Sequence, residues 1–158
     1  MWAVALVAVG TVGLVVVAVS GPGWVSRSFS SNGQRIYYTG TDANGSIPRS
    51  VAGGGFMGMG MMGGVVCVGC HGEDGRGGRI GMMSGTIEVP DIRYSTLTTT
   101  RSEAGTTIPA WTETDIARAI RDGVEPDGQR LQAPMPRWDM TDTDVGDVIA
   151  YLKELDTR

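Results

Sequence analysis

Cys67-Val68-Gly69-Cys70-His71 is the stretch on which the reading of this chain turns. It contains both cysteines and the single histidine of a 158-residue sequence. Two thiols at this separation on a helical turn reach the two vinyl groups of one porphyrin and form thioethers with it. The adjacent imidazole then faces the iron from one side. This is the C-x-x-C-H attachment pattern of a c-type haem. Two other uses of paired cysteines compete. A thioredoxin-like dithiol wants a strand before and a long helix after, whereas loops flank this segment. A tight disulfide suits an oxidising compartment. Neither needs His71. The same inventory excludes a four-Cys zinc or iron–sulfur site, a two-His zinc site and a disulfide-rich scaffold within one chain.

Outward from these five residues the chain is short of core. Residues 72–81 read as a glycine-rich turn, Val89 to Tyr94 as a short extended piece and Ser95 to Gly105 as polar loop. Thr112-Glu113-Thr114-Asp115 opens a helix, with Thr112 as cap and early acids at the positive helix end. Ile116, Ala119 and Ile120 form its apolar stripe, and Gly123 ends it. A loop with Pro126, Pro134 and Pro136 follows. Thr141-Asp142-Thr143-Asp144 opens the last helix, where Val145, Val148, Ile149, Leu152 and Leu155 share a face. On the N-terminal side, 31–39 reads as a short helix with Ile36 and one or both of Tyr37 and Tyr38 inward. No internal repeat and no sheet-forming alternation is evident, so the expectation is all-α: three to five short helices joined by long loops. Such stripes bury too little apolar area to order about 130 residues alone. A buried prosthetic group supplies the missing volume.

With His71 the only histidine, a bis-His haem from within the chain is impossible. The sixth iron ligand is then a methionine, another non-His group, water or nothing. Met135 and Met140 lie before the last helix. Pro134 and Pro136 fix φ on either side of Met135 and keep it out of the helical region. A rigid extended segment suits a weak thioether ligand; Met140, directly before the Thr141 cap, suits the core.

The chain resembles a class I monohaem cytochrome c. The resemblance rests on Cys67-Val68-Gly69-Cys70-His71-Gly72, on Val89-Pro90-Asp91, on Thr112 through Gly123, on Met135-Pro136-Arg137-Trp138 and on Asp147 through Leu155, in that order, covering most of 67–158. It implies His71 as proximal ligand and Met135 as distal ligand. It implies that the Pro90 carbonyl accepts the His71 Nδ1 proton, which fixes the ring and raises its basicity. It also implies that Tyr151 and Leu152 pack against the first helix near Gly33 and Tyr37, and that Trp138 with Arg93 or Arg137 contacts the haem propionates. One departure is the 28 residues from Thr39 to Val66 between the first helix and Cys67. They include Phe56-Met57-Gly58-Met59-Gly60-Met61-Met62. Thioethers bind Cu(I), but Met and Gly are also adaptable packing material at contact surfaces, and a docking loop is the preferred reading. Glu73 to Gly78 is glycine-rich without the ending of a phosphate loop and suits close backbone approach to a haem edge or a partner.

The N-terminus differs in kind. Residues 1–26 carry no charge, and all 13 basic and 17 acidic residues lie in 27–158, which holds the formal −4. That acidic balance argues against nucleic-acid binding. Of the 25 glycines, 13 fall between Gly53 and Gly81, so the glycine excess is local. Trp2 to Ser20 is apolar and, at ~1.5 Å per residue, about long enough as a helix for a bilayer core. Gly21-Pro22-Gly23 ends it, with Trp24 at interface height. A cleaved signal peptide competes, since Ala18-Val19-Ser20 fits a small-x-small site. The run is long for a signal and lacks a basic start, so an anchor over 1–26 is preferred, with 27–158 as the haem domain. Either way the domain is exported.

Together these readings predict a one-electron carrier rather than an enzyme, with one haem c held by Cys67 and Cys70. It is expected as a single-pass protein of the bacterial cytoplasmic membrane, haem domain outside. It is similar to the monohaem c subunits of quinol-oxidising or oxygen-reducing respiratory complexes, alternative complex III among them. Expected partners are membrane lipid, other redox subunits, and a quinol-oxidising complex, terminal oxidase or small electron carrier. The rivals are a soluble periplasmic shuttle, a copper-binding protein using the methionine loop, and a haem enzyme with an open sixth position, which the lack of a distal acid–base pair disfavours.

Overall fold

Three capped helices frame the described residues. Ser31 caps α1 (Asn32–Thr39) by accepting from the Gln34 N–H, and the Gly40 N–H closes it on the Ile36 carbonyl. Thr112 and Thr141 cap α4 (Glu113–Asp122) and α5 (Asp142–Leu155), each paired with an aspartate three residues on in a reciprocal capping box. Each box satisfies two amide donors that the first helical turn leaves open. Two shorter helices, α2 (Cys67–His71) and α3 (Tyr94–Leu97), lie between α1 and α4. The computed structural model describes residues 28–51, 65–82, 85–103 and 106–158. Among these no helix is long and apolar enough to cross a membrane. The apolar Trp2–Ser20 run and the methionine cluster 56–62 lie outside the described residues.

The expected apolar faces are inward. Ile36 and Tyr37 on α1, Ile116 and Ala119 on α4, and Val145, Val148, Ile149, Leu152 and Leu155 on α5 are all buried. Tyr38 and Ile120 pack half-buried against this cluster. α1 crosses α5 at Gly33, where a β-carbon would overlap the Asp147 carbonyl oxygen. Asn32 Nδ2 donates to Asp147 Oδ2 at 2.8 Å beside that crossing. The Tyr37 and Tyr151 rings meet at 5.2 Å between centroids. Such aromatic pairs add about 0.5–1.5 kcal/mol beyond the area they bury.

The all-α expectation needs correcting. Among the described residues three two-stranded antiparallel sheets accompany the helices: β1 (Arg49–Ser50) with β6 (Arg137–Trp138), β2 (Gly78–Met82) with β3 (Gly85–Val89), and β4 (Arg101–Glu103) with β5 (Thr106–Ile108). The glycine-rich turn and the polar loop are thus partly hairpins. Alternation did not reveal them because a strand shows period two only when one face is buried. In β3 only Val89 is buried, at its end.

The segment after α1 also differs from the long loop expected. Ile47 is 4% exposed in the core. Arg49 pairs with Trp138 and Ser50 with Arg137, and the Asp139 N–H donates to the Pro48 carbonyl at 2.9 Å. Residues 47–50 are therefore bound to the stretch that follows Met135.

Candidate haem site

α2 begins at Cys67, after an extended Val66, and ends at His71, with the Gly72 N–H on the Val68 carbonyl at 3.0 Å. One turn of helix thus carries both thiols and the imidazole. Both thiols are unlinked and partly buried. Desolvation pushes both above the ordinary thiol range, Cys67 to about 12. Thiols so raised are neutral at physiological pH, unlike the thiolate of a redox dithiol, which needs a lowered pKa.

His71 is 6% exposed. Its Nδ1 lies 3.1 Å from the Pro90 carbonyl oxygen. A carbonyl can only accept, so Nδ1 carries the proton and Nε2 keeps its lone pair. Desolvation lowers the imidazole pKa, against the opposing pull of the Pro90 bond, and so favours this neutral form. The donor set fits haem c: two neutral thiols on one helical turn beside a neutral imidazole with its far nitrogen open to iron. Val66, Val68, Ile92, Trp111 and Ile120 stand half-buried against the core and extend its apolar character.

The backbone holds Pro90 against His71 through the turn between them. The Gly77 N–H donates to the His71 carbonyl at 2.9 Å, and the Ile92 N–H to the Gly75 carbonyl at 2.8 Å. Gly77 sits at φ +66°, and a β-carbon there would overlap the Val89 carbonyl and crowd that of Pro90. Tyr37 adds a tether from α1, its hydroxyl donating to the Gly72 carbonyl at 2.6 Å. Burial pushes the Tyr37 pKa up and keeps that proton in place. Gly77→Ala is therefore expected to destabilise the holoprotein by about 2–4 kcal/mol. It should also speed exchange of the His71 Nδ1 proton; thermal unfolding and NMR exchange check both, and a variant unchanged in both refutes the tether.

The two methionines separate. Met140 is 5% exposed and belongs to the core. Met135 is half-buried in a non-helical stretch, flanked by half-buried Pro134 and buried Pro136. Trp138 is 2% exposed, and the Arg49 guanidinium lies 4.9 Å from its ring centroid. Of the arginines expected near the propionates, Arg93 grips Asp91, with Nη2 to Oδ2 at 2.5 Å. Burial alone would raise the Asp91 pKa, but Arg93 holds it below its usual value. Arg137 donates to two main-chain carbonyls. Arg49 is the cation that sequence reasoning missed. It draws the Cys67 thiol slightly down against the larger desolvation. No local signal marked it, because its place is set by pairing with Trp138, far along the chain.

No curated protein and no solved structure matches the chain. Residues 30–156 match the family model described as cytochrome c. The match spans the capped helices, the Cys67–His71 turn and the Met135 segment, and the chain belongs to the cytochrome c family of electron carriers with covalently bound haem c.

Proposed function

We propose that this cytochrome c is a membrane-anchored, one-electron carrier subunit of a bacterial respiratory or photosynthetic complex, with His71 and Met135 as axial ligands. The contrast between a core Met140 and a half-buried Met135 in a non-helical segment carries the ligand assignment. When bound, haem c supplies an iron centre that takes up and releases one electron. Cys67 and Cys70 fix it covalently. Pro90 orients His71 and raises its basicity through Nδ1. A thioether from Met135 favours ferrous iron and raises the potential relative to nitrogen ligation. Trp138 and Arg49 join the 47–50 segment to the stretch that follows Met135.

The anchor rests on the uncharged Trp2–Ser20 run, and haem attachment on the outer side of the bacterial cytoplasmic membrane orients it, with Met1 inside and residues 27–158 outside. The partners are then other redox subunits of the complex, with a quinol-oxidising complex, a terminal oxidase or a small electron carrier. High salt and alkaline washing are expected to leave the protein in the membrane pellet, and mild detergent extraction to bring redox subunits with it. Mature protein beginning at Gly21 overturns the anchor in favour of the periplasmic shuttle.

The glycine- and methionine-rich insertion then serves docking. Deleting Gly53–Gly60 removes none of the residues that pair with 137–138. The expected result is an unchanged haem spectrum with slower electron transfer to the partner or looser assembly. Loss of holoprotein refutes docking; copper beyond one iron per chain in the parent favours the copper reading instead.

A further inference from the structure

We propose that Arg137 is a positioning residue for the distal ligand, holding the Met135 loop by two of its carbonyls over a floor made by Gly123. The inference rests on Met135 as the axial ligand. Arg137 Nη1 donates to the Met135 carbonyl at 2.7 Å and Nη2 to the Leu131 carbonyl at 2.8 Å. One planar cation thus grips both ends of the segment 131–135. Lysine cannot reproduce this, because its ammonium is a single point of charge on a flexible stem.

The far side of the guanidinium explains Gly123. This residue ends α4 at φ +62°, and a β-carbon on it would overlap Arg137 Nε and Cζ. Its carbonyl also accepts the Leu131 N–H at 2.8 Å. The helix end, the loop start and the arginine therefore form one unit. Pairing of Arg137 with Ser50 fixes the arginine backbone from the opposite side. Arg121 gives the contrast. It also binds a carbonyl, that of Met140 at 2.9 Å, and Asp142 Oδ1 at 2.7 Å. Its grip falls beyond Met135, on the core methionine, so it staples the fold without touching the distal loop.

A loop held shut lowers the apparent affinity of any outside ligand that needs it open. Imidazole binding to the ferric holoprotein reads that closure directly. Arg137→Gln is expected to bind imidazole about tenfold to a hundredfold more tightly, the span of one charged hydrogen bond. Its thioether-to-iron charge-transfer band should weaken at rest. Arg137→Lys should fall between parent and Arg137→Gln, which keeps the test readable where Arg137→Gln yields little holoprotein. Gly123→Ala should tighten imidazole binding with the arginine still present. Arg121→Gln should leave imidazole affinity at the parental value whatever it does to thermal stability. Parental imidazole affinity in both Arg137 variants overturns the inference, as does an equal shift in Arg121→Gln. Met135→Ala serves the other question: a charge-transfer band that survives it overturns the ligand assignment, whereas a band lost there with unmoved Arg137 variants overturns the clamp alone.

Discussion

Met135→Ala abolishes the thioether-to-ferric-iron charge-transfer band and lowers the reduction potential. The drop is expected on the order of 0.1 V, a modest part of the roughly 0.8 V that axial ligands command. A soft thioether favours ferrous iron, and the alanine variant leaves that position to water or an outside ligand. Stability changes less than for a core methionine, because Met135 is only half-buried. Met140→Leu is the matched control. Met140 is 5% exposed within the core, and the swap nearly conserves volume, so less than about 1.5 kcal/mol is lost and the band stays. Optical spectra of the ferric proteins and a redox titration check both variants. A band lost only in Met140→Leu reverses the assignment.

Different parts of this molecule were legible for different reasons. The last two long helices announced themselves through Thr112 and Thr141, because a cap is a local hydrogen bond between near neighbours. Their inward faces followed from 3.6-residue spacing, and Ile36, Ile116 and Leu152 are buried as read. The haem turn was legible because two cysteines and a histidine at fixed spacing admit few chemistries. The Pro90 contact was reached through the family resemblance, since nothing in residues 72–89 signals that the chain returns to His71. The hairpins escaped because their strands are short and largely exposed. Arg49 and the carbonyl contacts of Arg137 escaped for the same physical reason. Their positions depend on pairing residues 49–50 with 137–138, a long-range register that leaves no local pattern. Sequence reading thus located the Cys67–His71 turn but not all of the long-range contacts that hold it in place.

Gly33→Ala tests how tightly that holding depends on the helix crossing, and its effect on stability should be large for a single added methyl group. A β-carbon at 33 would overlap the Asp147 carbonyl oxygen, and it would lie 3.1 Å from Tyr151 Cβ. The first obstacle is backbone within a helix, so no side chain can turn aside to make room. α1 and α5 must separate. Separation breaks the Asn32–Asp147 bond and parts Tyr37 from Tyr151. It also pulls on the Tyr37 hydroxyl that anchors the Gly72 carbonyl directly behind His71. A destabilisation of about 3 kcal/mol or more is expected, at the upper end for overpacking, with reduced yield of holoprotein. Gly146→Ala supplies the opposite sign within the same crossing helix. Gly146 is exposed on α5, and a β-carbon there meets nothing within 4 Å. Alanine in a helix interior is favoured over glycine by about 0.5–1 kcal/mol, so this variant gains stability. Denaturant unfolding of the two ferric holoproteins against the parent gives both values. If Gly33→Ala is as stable as the parent while Gly146→Ala behaves as expected, the close crossing does not hold the haem-bearing turn, and the tether from α1 to Gly72 must be carried by other contacts.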